Sequence, residues 1–317
     1  MNVRRVSVVI PCFNHARFLG EAIESALAQT RTDVEVVVID DGSTDESADV
    51  ASRYPVRLIR QANHGLARAR NAGLRASCGD VLIFLDADDR LHPEAAARAC
   101  TALDRSPAAM MAFGRCRLID QNGAPLATNL PPVTGHFYEE LLRRNYIWTP
   151  AMAAYRRPVF DAVGLFDPRS NPAADYDMYL RVAKRFGVVA HDAVVADYRQ
   201  HAASMSRDPV LMLDSTLAVL RRHRRSARRT AAERRAWQSG MRHWREWYGE
   251  HLVERFRAAL RTPGGWREAL RCAFHLLRLY PRGVVYHLGR KTAVAIRRAR
   301  SAAASLRITH TSHSPSR

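Results

Sequence analysis

Two short apolar segments, each ending in a cluster of aspartates, constrain the fold of this 317-residue chain more than any other feature. Residues 34–39 run into Asp40-Asp41, and residues 81–85 run into Asp86-Ala87-Asp88. Apolar runs this short are typical of strands buried on both faces of a parallel sheet. Their carboxylates would lie at the carboxyl edge of the sheet, where open α/β folds bind ligands. Because neighbouring acids repel one another, we expect a divalent cation and a base with N–H groups to join them.

Strand and helix patterns alternate through residues 5–105, with strands predicted at 6–11, 34–39, 56–59 and 81–85 and a helix at 66–76. This alternation favours a parallel sheet with right-handed crossovers. Ser43, with Glu46 three residues later, has the form of a capping box that opens a helix. Residues 106–205 mix both patterns and include a hairpin signal at Asn122-Gly123. They read as an α+β half that completes the sheet.

The net charge of +18 is carried by the last third of the chain. From residue 201 onward there are 25 Lys+Arg and 7 Asp+Glu, whereas the first 200 residues are balanced. Five cysteines without C-x-x-C spacing argue against a disulfide framework or a zinc site and favour a reducing cytoplasm. No stretch reaches the roughly 18 apolar residues of a membrane span, and the N-terminus has no signal-peptide pattern.

Two further segments carry candidate binding chemistry. Residues 63–73 open a helix, and helix N-termini bind phosphate well, so Arg70 is a candidate contact to a phosphate group. The alternative is a solvated basic helix face. Asp86 and Asp88 form a D-x-D pattern, and two such carboxylates can share Mg²⁺ or Mn²⁺ with diphosphate oxygens.

Four segments together resemble family 2 glycosyltransferases of the GT-A fold. They are residues 8–14 (VVIPCFN), 38–45 (VIDDGSTD), 63–73 (NHGLARARNAG) and 84–89 (FLDADD), in the order and spacing of that family. The resemblance covers about residues 5–205. It implies an α/β fold with a Rossmann-like, nucleotide-binding mixed sheet flanked by helices, followed here by a helical C-terminal extension. It also implies a metal-dependent, inverting transfer of sugar from a nucleotide-diphosphate sugar.

The resemblance gives roles to individual residues. It implies that Asp41 binds the base, that Pro11 and Phe13 line the nucleotide pocket, and that Asp86 and Asp88 hold the donor and metal, with Asp88 the direct ligand. Mn²⁺ or Mg²⁺ is the expected cofactor. His201, in a segment that resembles the family's end-of-domain motif, would join the metal shell or the diphosphate. Its alternative is a structural histidine.

Inversion by single displacement needs a general base opposite the leaving group. The family supplies it from an acidic pair before a helix, and here Asp175 is the candidate base, while Ala174 stands where the family carries the other acid. The alternative role of Asp175 is to cap the helix predicted at 176–186. Asp177 is assigned to supporting that helix or the acceptor.

The domain prediction follows. Residues 1–105 form the nucleotide-sugar-binding half, 106–207 the acceptor-binding half, 208–306 a basic helical extension, and 307–317 a disordered tail. The extension combines apolar residues with arginines, and two interpretations stay open: contact with an anionic membrane, or packing on the core. The apolar residues that suggest a membrane contact are Phe274, Leu276, Leu277, Leu279, Tyr280, Val284, Val285, Tyr286 and Leu288.

The function expected is sugar transfer from a UDP-sugar to an acceptor hydroxyl, on a glycan or a lipid-linked acceptor, in bacterial cell-surface polysaccharide synthesis. The expected location is the cytoplasm or the inner face of its membrane. Two alternatives remain: a sugar nucleotidyltransferase, and a basic protein that binds membrane or nucleic acid. Because no helix-turn-helix, zinc or RNP pattern occurs, we expect no nucleic-acid partner.

Overall fold

The computed structural model describes residues 5–126, 135–202 and 204–287. The chain divides into two compact units, residues 1–243 and residues 244–317. The strands are β1 Val6–Cys12, β2 Val34–Asp40, β3 Arg57–Arg60, β4 Val81–Phe84, β5 Arg90–Leu91, β6 Ala109–Ile119, β7 Ala153–Arg156 and β8 Gly187–Arg199. The α-helices are α1 Ala16–Leu27, α2 Ser47–Ser52, α3 Leu66–Ala76, α4 Ala95–Arg105, α5 Phe137–Arg143, α6 Val159–Val163, α7 Ala174–Arg185, α8 Pro209–Arg222, α9 Ala231–Arg261 and α10 Trp266–Leu279.

The first unit is built on one mixed sheet with the order β3-β2-β1-β4-β7-β6-β8-β5. β1 pairs in parallel with both β2 and β4, whereas β7 is antiparallel to β4 and to β6. Because the chain leaves β1 toward β2 and returns to β4 on the other side, β1 marks the point where the strand order reverses. Open α/β sheets bind ligands at the carboxyl ends of such strands. The predicted mixed sheet with flanking helices is confirmed.

The central strands of the sheet are fully buried and mostly apolar. Every residue of β1 and of β4 is buried. Helix α3 packs closely on β1, since a Cβ on Gly73 would lie 2.1 Å from a methyl carbon of Val9. A side chain there would force the helix away from the sheet, so glycine sets the approach of α3.

One local prediction is wrong. Ser43 does not cap a helix, because its hydroxyl accepts a hydrogen bond from the Asn14 N–H, and α2 begins only at Ser47. The hairpin signal at Asn122-Gly123 is confirmed in the described residues, where Ile119 and Pro125 form an antiparallel bridge. The second strand of this hairpin is predicted at 124–128, and residues 127 and 128 lie outside the described part of the chain. Gly123 has a φ of 86°, which suits the turn.

The second unit holds the end of α9, all of α10, and a further helical segment at residues 281–287. Pro263-Gly264-Gly265 separates the two helices, since α9 ends at Arg261 and α10 begins at Trp266. Arg255 pairs with Glu268 at 2.6 Å and so joins the two helices. Among the described residues, no helix is both long and apolar enough to cross a membrane. The predicted disordered tail lies outside the described residues.

Candidate active site

The tips of β1 and β2 are joined by reciprocal hydrogen bonds. The Asn14 N–H donates to the Ser43 hydroxyl at 3.0 Å, and the Asn14 side-chain oxygen accepts from the Thr44 N–H at 2.8 Å. Asn14 has a φ of 57°, in the left-handed region that asparagine tolerates better than most residues. This turn leaves Phe13 half-exposed at the edge of the sheet, next to the buried Pro11.

The carboxylate of Asp41 is held by the segment that leads into α3. Its oxygens accept hydrogen bonds from the Gln61 side chain at 2.6 Å, from the His64 N–H at 3.0 Å and from the Gly65 N–H at 2.8 Å. A carboxylate offers about four acceptor positions, so one remains for a ligand. Gly42 permits this approach, because it has a φ of 78° and a Cβ there would lie 2.7 Å from the Asn63 nitrogen.

Helix α3 presents its polar residues to two different partners. The Asn71 amide makes two hydrogen bonds with the backbone of Phe166, at 2.8 and 3.0 Å, and so ties α3 to the 164–167 segment. One residue earlier, Arg70 points to the sheet edge and donates to Asp86 at 2.7 Å. The predicted segment 63–73 therefore combines a packing glycine, a structural asparagine and a site arginine.

Arg70 is buried and only partly satisfied. Its side chain is 2% exposed, and two of its nitrogens, Nε and Nη1, have no hydrogen-bond partner. Burial alone would lower the pKa of Arg70, but the negative charges of Asp86 and Asp175 raise it overall. A charged group with unused donors in a buried site leaves a large desolvation cost that an anion would offset.

Asp175 lies beside this arginine. It is the second residue of α7, whose N-cap is Ala173, so the alternative role of Asp175 as the helix cap is wrong. Burial raises the pKa of Asp175 to about 6, against the opposing positive charge of Arg70. A carboxylate with such a pKa is ionised at neutral pH and can still accept a proton.

A second group brings Asp88 together with two histidines. The His201 Nε2 lies 2.9 Å from Asp88 Oδ2, and the ligand atoms of His15, Asp88 and His201 all lie within 4.8 Å of one another. Burial alone would raise the pKa of Asp88, but the hydrogen bond from His201 and the nearby His15 hold it below its usual value. Two imidazoles and a carboxylate at these separations fit one divalent cation after a small inward movement.

Buried neighbours fix this group in place. Asp89 accepts hydrogen bonds from the Thr149 hydroxyl and from the Arg199 N–H, and burial raises its pKa well above the usual range. The Arg199 guanidinium is fully buried, where it donates to the Asp88 carbonyl at 2.8 Å and to Glu21 at 2.7 Å. The loop after β4 is thereby anchored at the Asp88 carbonyl and at the Asp89 side chain.

The sequence prediction omitted His15 and gave no role to Arg199. The His15 N–H donates to the Ser47 hydroxyl at 3.0 Å, which positions the residue at the start of α1. Its only signal in the sequence is that it directly follows the VVIPCFN segment. Arg199 lies in the segment that suggested His201, and its role depends on contacts with residues more than 100 positions away.

The structure thus collects the predicted site residues at one edge of the sheet in two groups. Arg70, Asp86 and Asp175 form one group, and Asp88 with His201 and His15 forms the other. Asp41 lies at the neighbouring tip of β2. This edge of the sheet therefore combines a carboxylate–imidazole group, whose chemistry suits a cation, with a buried guanidinium, whose chemistry suits an anion.

Comparisons with known proteins identify the family. The sequence model of glycosyl transferase family 2 matches residues 7–164. An uncharacterized glycosyltransferase of Nostoc sp. is 35% identical over 176 residues, 52% of this chain and 54% of the relative. The chondroitin synthase of Escherichia coli is 30% identical over 197 residues, 56% of this chain and 26% of that protein. These matches therefore span about half of the first relative and a quarter of the second.

Two solved structures share the fold. A mannosyltransferase of Pyrobaculum calidifontis in complex with GDP-Man and Mn²⁺ has a TM-score of 0.58 and 19% identity, covering 92% of this chain and 81% of that one. S. aureus TarS in complex with UDP has a TM-score of 0.56 and 18% identity, covering 75% and 70%. Residues 7–164 belong to glycosyl transferase family 2, and the fold is that of GT-A glycosyltransferases. This family favours sugar transfer over the nucleotidyltransferase alternative.

Proposed function

We propose that the protein is an inverting glycosyltransferase that moves a sugar from a nucleotide-diphosphate sugar, with a UDP-sugar as the first donor to test, to an acceptor hydroxyl. The observation that carries the proposal is a buried guanidinium with two unused nitrogens at the same sheet edge as a two-histidine, one-carboxylate group. In a nucleotide diphosphate with its cation, the diphosphate would pair with the Arg70 guanidinium and the cation would bind the histidines and the carboxylate. Groups with a purely structural role would need neither the anion nor the cation.

In this proposal the donor contacts the Arg70 group through its diphosphate and the tips of β1 and β2 through its base. Arg70 binds diphosphate oxygen, and Asp86 holds the guanidinium in position at 2.7 Å. The half-exposed ring of Phe13 and the adjacent Pro11 form the apolar wall of the base pocket. Asp41 uses its remaining acceptor position for an N–H of the base.

His15, Asp88 and His201 are the residues proposed to hold the divalent cation, Mn²⁺ or Mg²⁺. The cation neutralises the departing diphosphate when it is bound. Histidine must be neutral to act as a ligand, so cation binding competes with protonation of His15 and His201. The Asp89 and Arg199 contacts keep the Asp88 backbone fixed, which reduces the ordering needed when ligands arrive.

Asp175 is proposed as the general base. The acceptor hydroxyl would lose its proton to this carboxylate as its oxygen forms a bond to the anomeric carbon and the bond to diphosphate breaks. With a pKa of about 6, Asp175 is ionised at neutral pH and basic enough to take a proton in the transition state. Because Ala174 replaces the second acid of the family pattern, Asp86 and Arg70 are the charges that tune Asp175.

The acceptor is proposed to be a glycan or a lipid-linked sugar in bacterial surface polysaccharide synthesis. Two relatives are named chondroitin synthase and hyaluronan synthase, enzymes of polysaccharide synthesis, and this chain matches 26% and 19% of their length. In this proposal residues 1–105 bind the donor, residues 106–207 bind the acceptor, and residues 208–306 form the basic extension.

The test is thermal unfolding against a panel of nucleotide sugars with and without Mn²⁺, followed by turnover with the stabilising donor. A ligand at 100 times its Kd should raise the free energy of unfolding by about 2.7 kcal/mol. The anomeric configuration of the product, read by NMR, reports inversion. Absence of stabilisation by any nucleotide sugar, together with absence of transfer, would refute the proposal, and a retained configuration would refute inversion alone.

A further inference from the structure

Helix α10 exposes a row of large apolar side chains. Trp266, Leu270, Phe274 and Leu277 are 59%, 61%, 60% and 64% exposed. With 3.6 residues per turn, they fall within an arc of about 80° on one face of the helix. We call these four residues the apolar stripe. A different face is already buried by Ala269, Cys272, Leu276 and Leu279, so the stripe is not the face that packs within the unit.

The structure changes which residues are candidates for membrane contact. Leu276 and Leu279, which the sequence suggested, are 5% and 3% exposed and belong to the packed face. Trp266 and Leu270, which the sequence analysis did not select, are exposed. Val285 and Tyr286 are also exposed, at 70% and 57%. Leu288 lies outside the described residues.

Arginines follow one edge of the apolar stripe. Arg267, Arg271 and Arg278 are exposed and fall at about 100–140° on the same helical projection, directly beside the stripe. The acid of α10, Glu268, lies further round the helix and pairs with Arg255 at 2.6 Å and more loosely with Arg271 at 3.8 Å. The exposed surface of α10 is therefore apolar along its centre and cationic along one side.

The chemistry of this surface selects its partner. Residues 244–287, the described part of this unit, contain eight Lys+Arg and four Asp+Glu, so its net charge is positive. A second copy of the chain would bring an equal positive charge to the same surface, which opposes pairing between copies. An anionic membrane instead offers phosphate groups to the arginines and hydrocarbon to the stripe.

The length of α10 sets the orientation. Its 14 residues extend for about 21 Å, short of the roughly 30 Å hydrocarbon core, so it cannot cross a bilayer. We infer that α10 lies in the plane of an anionic membrane surface, with the apolar stripe below the headgroups and Arg267, Arg271 and Arg278 at the level of the phosphates. The apolar stripe includes none of the proposed site residues, so this inference does not depend on the proposed function.

Vesicle flotation of the full chain tests the inference. We expect binding to phosphatidylcholine vesicles that contain about 30 mol% phosphatidylglycerol, and weaker binding to pure phosphatidylcholine or in high salt. The double variant Leu270→Glu/Phe274→Glu should lower the partition coefficient at least about tenfold, because two apolar anchors are lost and two negative charges added. Leu27→Glu changes a half-exposed leucine on α1 and should leave binding unchanged.

Depth is tested by the fluorescence of Trp266. Brominated lipids should quench the wild-type emission, and Trp266→Phe should remove most of that quenching. Lack of wild-type binding to the anionic vesicles would overturn the inference, as would equal binding by the double variant. A dimer in analytical ultracentrifugation that the double variant abolishes, without vesicle binding, would assign the stripe to a second copy. If the double variant loses vesicle binding but still binds nucleotide sugar, the loss comes from the stripe and not from damage to the active site.

Discussion

The two aspartate tips have similar sequences but make different contacts. Both follow buried strands of the same sheet, β2 and β4. The carboxylate of Asp41 accepts three hydrogen bonds from residues 61–65, whereas the carboxylate of Asp88 meets His201 and faces His15. The first tip therefore mainly stabilises the fold, and the second keeps its acid available to a ligand. Because both tips have similar sequences, the sequence alone does not show which one stabilises the fold and which one is available to a ligand.

The two carboxylates differ in their hydrogen bonds because different backbone groups approach the two loops. At the first tip, Gly42 lets residues 61–65 approach closely enough to donate N–H groups to Asp41. At the second, the neighbouring Asp89 takes the backbone N–H of Arg199, which leaves the Asp88 side chain without backbone donors from that strand. Asp89 thus anchors the loop, and the preceding acid, Asp88, stays available to a ligand.

The largest effect on turnover is expected from substituting Asp175, the acid that belongs to neither tip. Asp175→Asn should lower turnover by about 10²–10⁴-fold, because the amide cannot accept the acceptor proton, while nucleotide-sugar affinity stays the same. Steady-state kinetics and calorimetric titration measure the two quantities. Asp177→Asn, on the same helix, is the control: Asp177 pairs with Arg181 and His223, so its loss should reduce stability more than turnover. Unchanged turnover in Asp175→Asn would remove the assigned base.

Each tip has an arginine beside it, and substituting the two arginines in the same way compares the tips. Arg70→Met should weaken nucleotide-diphosphate binding by about 30-fold, or roughly 2 kcal/mol, since a buried charged donor to diphosphate is lost. Arg60 lies 3.4 Å from Asp40 at the first tip, but its side chain is 69% exposed, so Arg60→Met should change affinity little. Equal losses in the two variants, measured by titration with UDP, would contradict the distinction between the tips.

The pH dependence of activity follows from Asp175. Its pKa of about 6 lies above its ordinary value, so kcat/KM should fall about tenfold per pH unit below 6 as the base is protonated. The effect on stability has the opposite sign: the folded state binds the proton more tightly, so this contribution is present below about pH 4 and is lost as the pH rises through about 6. A pH–rate profile without an acidic limb near 6 would exclude this base.

The smallest effect is expected from the ligand that the sequence did not reveal. His15→Ala should lower Mn²⁺ affinity by about tenfold, because His201 and Asp88 remain. Electron paramagnetic resonance of bound and free Mn²⁺ measures the affinity without turnover. His64→Ala is the control, since His64 contacts the first tip through its backbone N–H only. Identical Mn²⁺ affinity in the wild type and His15→Ala would leave His15 as a structural residue.

Much of the fold could be predicted because local patterns determine it. The helix predicted at 66–76 is confirmed as α3, and the strand predicted at 34–39 as β2. The sheet edge that gathers the acids follows from strand direction alone. The capping box failed because the Ser43 hydroxyl is bound by Asn14, which belongs to another strand tip. Local sequence cannot anticipate such a competing partner.

The composition of the site was harder to predict because it depends on distant contacts. His15 and His201 meet at Asp88 although 186 positions separate them in the chain. The unused nitrogens of Arg70 are visible only after α3 packs against β1 and places the guanidinium beside Asp86. Motif spacing identified Arg70 and Asp86 separately but could not pair them.

The central claim is that Asp41 at the first tip stabilises the fold, whereas Asp88 at the second tip binds the cation. The most direct test is to measure Mn²⁺ affinity and the free energy of unfolding for Asp41→Asn and Asp88→Asn in parallel. We expect Asp41→Asn to lower the free energy of unfolding by about 2 kcal/mol and to leave Mn²⁺ affinity unchanged, because its carboxylate serves the protein backbone. Asp88→Asn should lower Mn²⁺ affinity by about 100-fold with a smaller change in stability. Loss of Mn²⁺ affinity in Asp41→Asn, with Asp88→Asn unaffected, would contradict the claim.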